Sequence, residues 1–428
     1  MEIIEKLQIP TKLLNISEVK VIESYINTNK EIIIKVSSTK EEIHCHKCGA
    51  LCQAYGQAET IRIRHLPMFG YKTYIEITAP RGVCSECKDG KKRVTTTQRA
   101  NWYTKKGKIT KAYEDYLLLS VINSTIQDVS IKEDVGYKVI ESTIDRNIKS
   151  EVDWSEIKKI GLLGIDEIAA RKGRNQFYTI FTSKIDGQIR LLAVIEGHEK
   201  ADVKKMLKSI PKCLKKTIKA VCTDMHDGFV YAVQEELPNA LLVIDRFHVA
   251  KSYRECLKAF RIAELQRLKN ELSDEKYREF KKAIHIIKNN KNGILTDEEK
   301  RVLKPLFKKA PNLKKAFQLS RKLTNIFNSH ISIKKAKTLM NSWMEEVEAS
   351  KLTCYNKFLK TLRKYKTEII NYFKSRNNSG FVEGINNKIK VMKRRCYGIS
   401  NIKHFFQRVF LDLQGYAQYA DNSKVQAC

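Results

Sequence analysis

The middle of the chain alternates short apolar runs with amphipathic stretches, and this order restricts the fold more than any other feature. Residues 157–255 contain three apolar runs, a helical pattern, a fourth run, a second helical pattern and a fifth run. The runs cover residues 160–165, 177–184, 189–196, 218–223 and 240–244. Apolar strands that alternate with helices are typical of a mixed α/β layer.

Carboxylates stand at the ends of these predicted strands. The first run ends at Asp166, the fourth at Asp224 and the fifth at Asp245. The order of elements is that of an RNase H-like sheet, whose first and fourth strands are neighbours, so we expect Asp166 and Asp224 to lie close together. Adjacent carboxylates repel unless a cation sits between them, and Mg²⁺ prefers such hard oxygen ligands. Taken singly, an Asp at a strand end is more often a cap or turn residue.

A third carboxylate, Glu383, begins a strongly basic helical segment. Helical spacing places Asn387 and Lys390 on the same face as Glu383. A metal-binding Glu followed by cations suits an enzyme that cuts a polyanion, so Asp166, Asp224 and Glu383 are predicted to be catalytic and to hold Mg²⁺. The predicted phosphate contacts are Asn387, Lys388, Lys390, Lys393, Arg394 and Arg395. The alternative for these cations is a solvated basic face.

The net charge favours a polyanionic partner. The chain has 80 Lys plus Arg against 48 Asp plus Glu, for a formal charge of +32. Nucleic acid is the commonest partner of such a surface, although a proteome rich in Lys would give the same charge. The start of the chain resembles no secretory signal, and no apolar run is long enough to span a bilayer, so we expect a cytoplasmic protein without a membrane partner.

Two C-x2-C pairs lie within the first 100 residues. They are Cys45 with Cys48 and Cys84 with Cys87, and Gly49 after the first pair suits a turn with positive φ. A two-residue spacer lets one turn present two thiolates, and four thiolates complete a tetrahedral Zn²⁺ site. In a reducing compartment such a cluster indicates metal rather than disulfides. We therefore predict structural zinc, with four buried thiols as the alternative.

Residues 106–150 read as short helices. The segment 125–128 resembles a capping box, residues 135–137 suit a turn, and apolar residues then recur at helical spacing from Val139 to Ile144. These are the dimensions of a helix-turn-helix, whose second helix enters a major groove of DNA. Simple helical packing gives the same pattern and remains the alternative.

The sequence therefore predicts an α+β multidomain chain of five segments. These are a zinc-binding module with strands such as 71–77 (1–100), the helix-turn-helix (106–150), the first part of an RNase H-like catalytic core (157–255), an all-helical insertion with N-cap signals at Ser273 and Thr296 (256–375), and core helices that carry Glu383 (376–428).

Four segments, taken together and in order, resemble a known family. They read GIDEIAARKG, VCTDMHDGF, LPNALLVIDRFHVAK and FVEGINNKIKVMKRRCYGI. They resemble the bacterial insertion-sequence transposases of the DDE superfamily, of the ISL-three type, and the resemblance runs from about Cys45 to Gly415. It implies a zinc module, a helix-turn-helix, an RNase H-like core with a helical insertion, and a catalytic triad at Asp166, Asp224 and Glu383. The chain departs from related sequences at residues 378–380, which concerns a turn rather than a ligand.

The resemblance also implies a reaction. A DDE transposase is an endonuclease and polynucleotidyl transferase that cuts double-stranded DNA at terminal inverted repeats and joins the ends to target DNA. Two Mg²⁺ ions, with Mn²⁺ as an alternative, flank the scissile phosphate. Paired ends favour a homodimer, associated with the bacterial nucleoid. The alternatives are a non-cutting DNA-binding regulator derived from a transposase and a structure-specific nuclease that does not join.

Several residues near the predicted site have two interpretations. Asp245, Arg246 and His248 belong to the family pattern and either support the active site or have structural roles, such as capping the next helix or pairing Asp245 with Arg246. Asp227 is predicted to begin a helix, and Trp343 to lie in the core of the insertion.

Overall fold

The computed structural model describes residues 3–90, 92–104, 108–171, 176–185, 187–290, 294–376, 380–396, 399 and 401–425. Within these ranges, the side chains of residues 170, 171, 375, 380–383, 386 and 421–425 lie outside the described part. The chain forms two compact units, Met1–Ser150 with Gln407–Cys428, and Glu151–Phe406.

The described part of the first unit contains two sheets. Its strands are β1 (Ile3–Leu7), β2 (Val19–Asn27), β3 (Glu31–Ser38), β4 (Gln53–Gln57), β5 (Ile61–Met68), β6 (Tyr71–Ile77), β7 (Pro80–Asp89), β8 (Lys92–Thr97), β9 (Tyr103–Thr104) and β10 (Ile109–Thr110). The larger sheet has the order β1-β2-β3-β6-β5-β10-β9 and the smaller one β4-β7-β8. Strand β6 has the predicted bounds, and its alternate residues Thr73, Ile75 and Ile77 are buried.

Three helices follow in the first unit. They are α1 (Lys111–Val121), α2 (Ile126–Glu133) and α3 (Tyr137–Asn147). The Thr125 hydroxyl accepts a 2.9 Å hydrogen bond from the Asp128 N–H, which confirms the predicted helix start. Ile140 and Ile144 bury the inner face of α3. Contact of α3 with DNA stays a prediction.

The second unit contains a sheet with the predicted neighbours. Its strands are β11 (Leu162–Arg171), β12 (Gln176–Ile185), β13 (Gln188–Glu196), β14 (Ala220–Thr223) and β15 (Leu241–Ile244). Their order is β13-β12-β11-β14-β15. Strand β11 is antiparallel to β12 and parallel to β14, and β14 is parallel to β15. The expected adjacency of the first and fourth strands is confirmed.

The first of these strands is longer than the sequence predicted. It was expected to end at Asp166, but β11 continues to Arg171 and pairs Glu167 with Thr179. Ile168 is only 5% exposed, so the alternation of buried and exposed residues carries on past the carboxylates. Asp166 therefore lies in the middle of a strand, where it pairs with Ile180 of β12.

The rest of the second unit is mostly helical. The helices are α4 (Lys200–Ser209), α5 (Lys212–Lys215), α6 (Asp227–Glu236), α7 (Arg246–Glu271), α8 (Asp274–Asn289), α9 (Asp297–Lys309), α10 (Pro311–Asn328), α11 (Ile333–Ala349), α12 (Asn356–Lys364), α13 (Lys366–Ile370), α14 (Tyr372–Ser375) and α15 (Gly380–Arg395). Helix α16 (Ile402–Val425) begins in the second unit, but its residues from Gln407 onward belong to the first unit, so the predicted core segment 376–428 is divided between the two units. Short 3₁₀ turns lie at Thr11–Leu14, Trp154–Glu156 and Thr353–Tyr355. No helix in the described ranges combines the length and apolar character that a bilayer crossing requires.

The helix starts follow the sequence signals to different extents. Thr296 and Glu299 form a full capping box at the start of α9. Ser273 precedes α8 as predicted, but its side chain makes no capping hydrogen bond. Asp227 is the first residue of α6, which confirms its predicted place, and Lys364 and Tyr365 bind its carboxylate.

Trp343 lies in the core of the helical region, as predicted. Its ring is fully buried, and its Nε1–H donates a 2.8 Å hydrogen bond to the carbonyl of Leu319. The rings of Tyr355 and Phe358 meet it edge-on with centroids 5.8 Å away.

Replacement of Trp343 by Ala should therefore lower the free energy of unfolding by about 3–5 kcal/mol, because it opens a cavity and leaves a carbonyl without its donor. Thermal and denaturant unfolding would measure the loss. Ile131→Ala on an exposed side chain is the control and should change stability by less than about 0.5 kcal/mol. A Trp343→Ala protein as stable as the control would contradict the packing described here.

Candidate active site

Three aspartates lie where the central strands of the second unit bring them together. Asp166 is on β11, Asp224 directly follows β14, and Asp245 directly follows β15. Because β11, β14 and β15 are parallel neighbours, their carboxylates meet at one edge of the sheet. Asp166 is 7% exposed and accepts a 2.7 Å hydrogen bond from the Glu167 N–H.

The carboxylates of this cluster lie close together and away from water, so their negative charges repel one another. Burial, together with the charges of Asp166, Glu167 and Asp245, raises the pKa of Asp224 to about 8, against the opposing backbone N–H of His226. Its Oδ1 is buried and has no hydrogen-bond partner among the described residues. A bound cation would satisfy this oxygen and offset the repulsion.

Asp166 is less isolated than Asp224. Burial raises the pKa of Asp166, as does the charge of Asp245, while the charges of His248 and Lys390 and the Glu167 N–H lower it. His248 and Lys390 therefore lie near enough to Asp166 to moderate its charge.

Asp245 and its neighbours hold the cluster in place. Asp245 caps α7 by accepting a 2.7 Å hydrogen bond from the Phe247 N–H, and its Oδ2 is 3.9 Å from His248 Nε2. The guanidinium of Arg246 donates hydrogen bonds to the Tyr372 hydroxyl and to the Asn328 side chain. Asp245 thus has the structural role considered for it and also adds charge to the cluster, whereas Arg246 secures the start of α7.

A carboxylate–histidine group beside the cluster was missed from the sequence. Glu167 Oε2 lies 2.9 Å from His198 Nδ1, and the ring centroids of His198 and His226 are 4.9 Å apart. A Cβ at Gly228 would lie 2.9 Å from the His198 carbonyl oxygen, so only glycine allows α6 this close to the loop that carries His198. His198 lies two residues after β13 and His226 three residues after β14, and this place just beyond strand ends is the signal that could have found them.

The helix of the predicted third carboxylate is in place, but that side chain lies outside the described part of the chain. Glu383 belongs to the first turn of α15, whose inner face buries Ile389 and Met392. Lys393 donates to the carbonyl of Ala169, which attaches α15 to β11. The other predicted DNA contacts divide by exposure: Asn387, Lys388, Lys390 and Arg394 are exposed, and Arg395 is half-buried.

The sequence of this chain matches two models of known protein families. A family model described as a transposase, the DDE type of the ISL-three (ISL3) group, matches residues 163–409. A second model, described as the zinc-finger of transposase IS204/IS1001/IS1096/IS1165, matches residues 41–87. The chain belongs to the ISL3 family of transposases.

Curated relatives of this transposase match it over nearly its whole length. The transposase for insertion sequence element IS1001 of Bordetella parapertussis is 25% identical over 402 residues, which cover 91% of this chain and 93% of that protein. The transposase for insertion sequence element IS1557 of Mycobacterium tuberculosis is 20% identical over 396 residues, which cover 87% and 86% of the two chains. These matches confirm the resemblance inferred from the sequence.

The zinc-finger segment of the transposase coincides with a cluster of thiols. The Sγ atoms of Cys45, Cys48, Cys84 and Cys87 all lie within 4.8 Å of one another. The backbone N–H groups of Cys48 and Lys47 lower the pKa of Cys45 to about 6, whereas the neighbouring Cys48 thiol and burial raise the pKa of Cys87 to about 12. Gly49 has a φ of 80°, as the predicted turn needs. The cluster and the family match support structural zinc.

Three further residues of types that can bind zinc, His44, His46 and Cys52, lie in the same segment of the sequence. His46 Nδ1 lies 2.9 Å from the Thr96 hydroxyl, and His44 Nδ1 lies 3.2 Å from the Gly49 carbonyl. Cys52 packs against the cluster, but it is not among the four thiols whose Sγ atoms share the 4.8 Å distance. Four thiolates complete a tetrahedral site without these residues.

Proposed function

We propose that this transposase cuts double-stranded DNA at the inverted repeats of its element and joins the ends to target DNA, with Asp166, Asp224 and Glu383 as metal ligands. The observation that carries the proposal is the pair of carboxylates that adjacent parallel strands bring together: Asp166 is buried, and Asp224 has a buried oxygen with no hydrogen-bond partner among the described residues. A pure DNA-binding regulator has no need of such a costly arrangement.

The strand order supports an RNase H-like assignment for the core, in which the chain positions the metals and the DNA. Two Mg²⁺ ions, when bound, would activate water or a 3′-hydroxyl and stabilise the departing oxygen. Asp166 and Asp224 would hold them on rigid strands, and Glu383 would approach from α15. Lys390 and His248 lower the pKa of Asp166 through their positive charge. The same positive charge would offset part of the negative charge of the phosphate when DNA binds.

The remaining parts of the chain would bind and position the DNA. We assign end recognition to the helix-turn-helix in residues 106–150, with α3 in the major groove, and phosphate contacts to the exposed residues of α15. Lys393 would contribute mainly by attaching α15 to β11. Residues 1–100 would supply the zinc module, 157–255 and 376–406 the core, and 256–375 the insertion, since the rest of the predicted segment 376–428 belongs to the first unit. Two ends held together would require a dimer.

The test uses labelled DNA that carries the element's ends, incubated with purified protein in Mg²⁺ or in EDTA. We expect nicks at the ends and joined products in Mg²⁺ only. Asp166→Ala should remove both products and leave DNA binding intact, whereas the control Glu275→Ala, on an exposed part of α8, should cut normally. Nicks without joining would indicate a structure-specific nuclease. Tight binding without any cut by wild type would favour the regulator.

A further inference from the structure

We infer that a basic groove in the helical region of the second unit binds an unpaired stretch of DNA strand next to the cut; this inference rests on the proposed cleavage of DNA. The groove is a cavity of about 450 Å³ between α7, α8 and α10. Its cationic lining consists of Lys251, Arg254, Lys258, Arg261, Lys288 and Arg321. These six residues define what is called here the basic groove.

The groove follows one face of a helix that starts at the active site. Phe247, Lys251, Arg254, Lys258 and Arg261 are spaced by four, three, four and three residues on α7. This spacing places them along one stripe of the helix, about 21 Å long at 1.5 Å per residue. Because Asp245 caps the same helix, the stripe begins beside the carboxylate cluster and leads away from it.

The positive charge of the groove favours binding of a polyanion. Glu255 is the sole carboxylate among the described residues that line it, against six cations. Lys251, Lys258 and Lys288 are exposed, and none of them forms an ion pair with a residue in the described ranges. Burial also lowers the pKa of Arg261, so this guanidinium bears a desolvation cost that a phosphate would offset. A phosphodiester backbone supplies such repeated negative charge.

An exposed aromatic ring in the groove favours single-stranded over double-stranded nucleic acid. Phe247 is 45% exposed at the end of the groove nearest to Asp245, although burial would be the default for a side chain so apolar. An accessible aromatic ring at the end of a row of cations suits single-strand binding, where bases stack on the ring and phosphates contact the cations. Bases in a duplex are already stacked, so only an unpaired base could cover Phe247.

The test measures binding of a labelled oligothymidine of about 12 nucleotides to the full-length protein in EDTA, by fluorescence anisotropy. Lys251→Glu combined with Lys258→Glu should weaken this binding at least about tenfold and reduce its salt dependence by about two phosphate contacts. The control combines Lys276→Glu with Lys282→Glu, two exposed lysines of α8 outside the groove lining, and should change affinity by less than about twofold. Both variants change the net charge equally.

A second variant tests the ring without altering charge. Phe247→Leu keeps an apolar side chain and should weaken oligothymidine binding about fivefold or more while leaving duplex binding unchanged. Equal losses in the groove variant and the control would overturn the inference. Equal losses on oligothymidine and on duplex ends would overturn its assignment to an unpaired strand. Thermal melting of each variant should match wild type, because the changed side chains are exposed.

The same proteins separate this inference from the proposed function. If wild type cuts DNA ends in Mg²⁺ but the groove variants bind oligothymidine like the control, the groove inference is wrong and the transposase function stands. If wild type does not cut but the groove variants lose oligothymidine binding, the groove binds single strands and the proposed cleavage is wrong.

Discussion

Asp224→Asn should abolish DNA cleavage and at the same time make the metal-free protein more stable. The amide keeps the shape of the side chain but removes a buried charge from beside Asp166 and Glu167. Cleavage should fall at least about a thousandfold, because a metal ion contributes several kcal/mol to the stabilisation of the transition state. The two effects have opposite signs, so general misfolding of the variant cannot produce both.

The stabilising effect should grow with pH. The pKa of Asp224 is raised to about 8 in the folded protein, so folding favours the protonated form. The stability that this proton binding contributes is complete below the pKa of the unfolded chain and is lost as pH rises through about 8. In EDTA, the advantage of Asp224→Asn over wild type should therefore increase between about pH 6 and about pH 9.

Thermal melting with EDTA and with Mg²⁺ measures the effect, with Glu275→Ala as the control. Mg²⁺ should raise the melting temperature of wild type and of the control but not that of Asp224→Asn. A variant that is less stable than wild type in EDTA at every pH would contradict the cluster of repelling carboxylates. A variant that still cuts DNA would remove Asp224 from the metal site.

Loss of zinc should have the second large effect, confined to the first unit. Cys84→Ser removes a fully buried thiol from the four-cysteine cluster, and zinc content should fall from about one ion per chain to none. Structural zinc in small modules contributes apparent binding free energies of about 10–16 kcal/mol, so the segment around β7 and β8 should lose its fold.

Metal analysis and proteolysis of the purified variant test this expectation. Cys213→Ser, which changes an exposed cysteine outside the cluster, is the matched control and should keep its zinc. Mg²⁺-dependent stabilisation of the second unit should survive in Cys84→Ser, because the two metal sites are independent. Full zinc content in Cys84→Ser would exclude this cluster as the binding site.

The sequence predicted the strand order and the meeting of Asp166 with Asp224, because both depend on local pattern and on connection rules that a single chain displays. The length of β11 could not be predicted, since it is set by pairing with β12 rather than by its own residues. The partnership of Glu167 with His198 depends on how closely α6 approaches a distant loop, and that distance is set at Gly228. Periodicity alone does not reveal such approaches.

The basic groove is a second feature that the sequence alone could not predict. The stripe of cations on α7 is visible in the sequence, but a regular charged stripe is usually a solvated helix face. Packing against α10 and α8 makes it concave and adds Arg321 and Lys288. The capping of α7 by Asp245 confirms one of the two roles between which the sequence left a choice, and its support of the active site stays a prediction.

The last helix has a consequence for how the protein is made. Residues from Gln407 onward belong to the first unit: Leu411 is fully buried in the core that also contains Leu117, and Arg408 donates to the carbonyls of Val121 and Ser124. Because part of this core comes from residues after Phe406, residues 1–150 cannot complete it by themselves during synthesis. A polypeptide that stops before Gln407 would therefore lack a finished first unit.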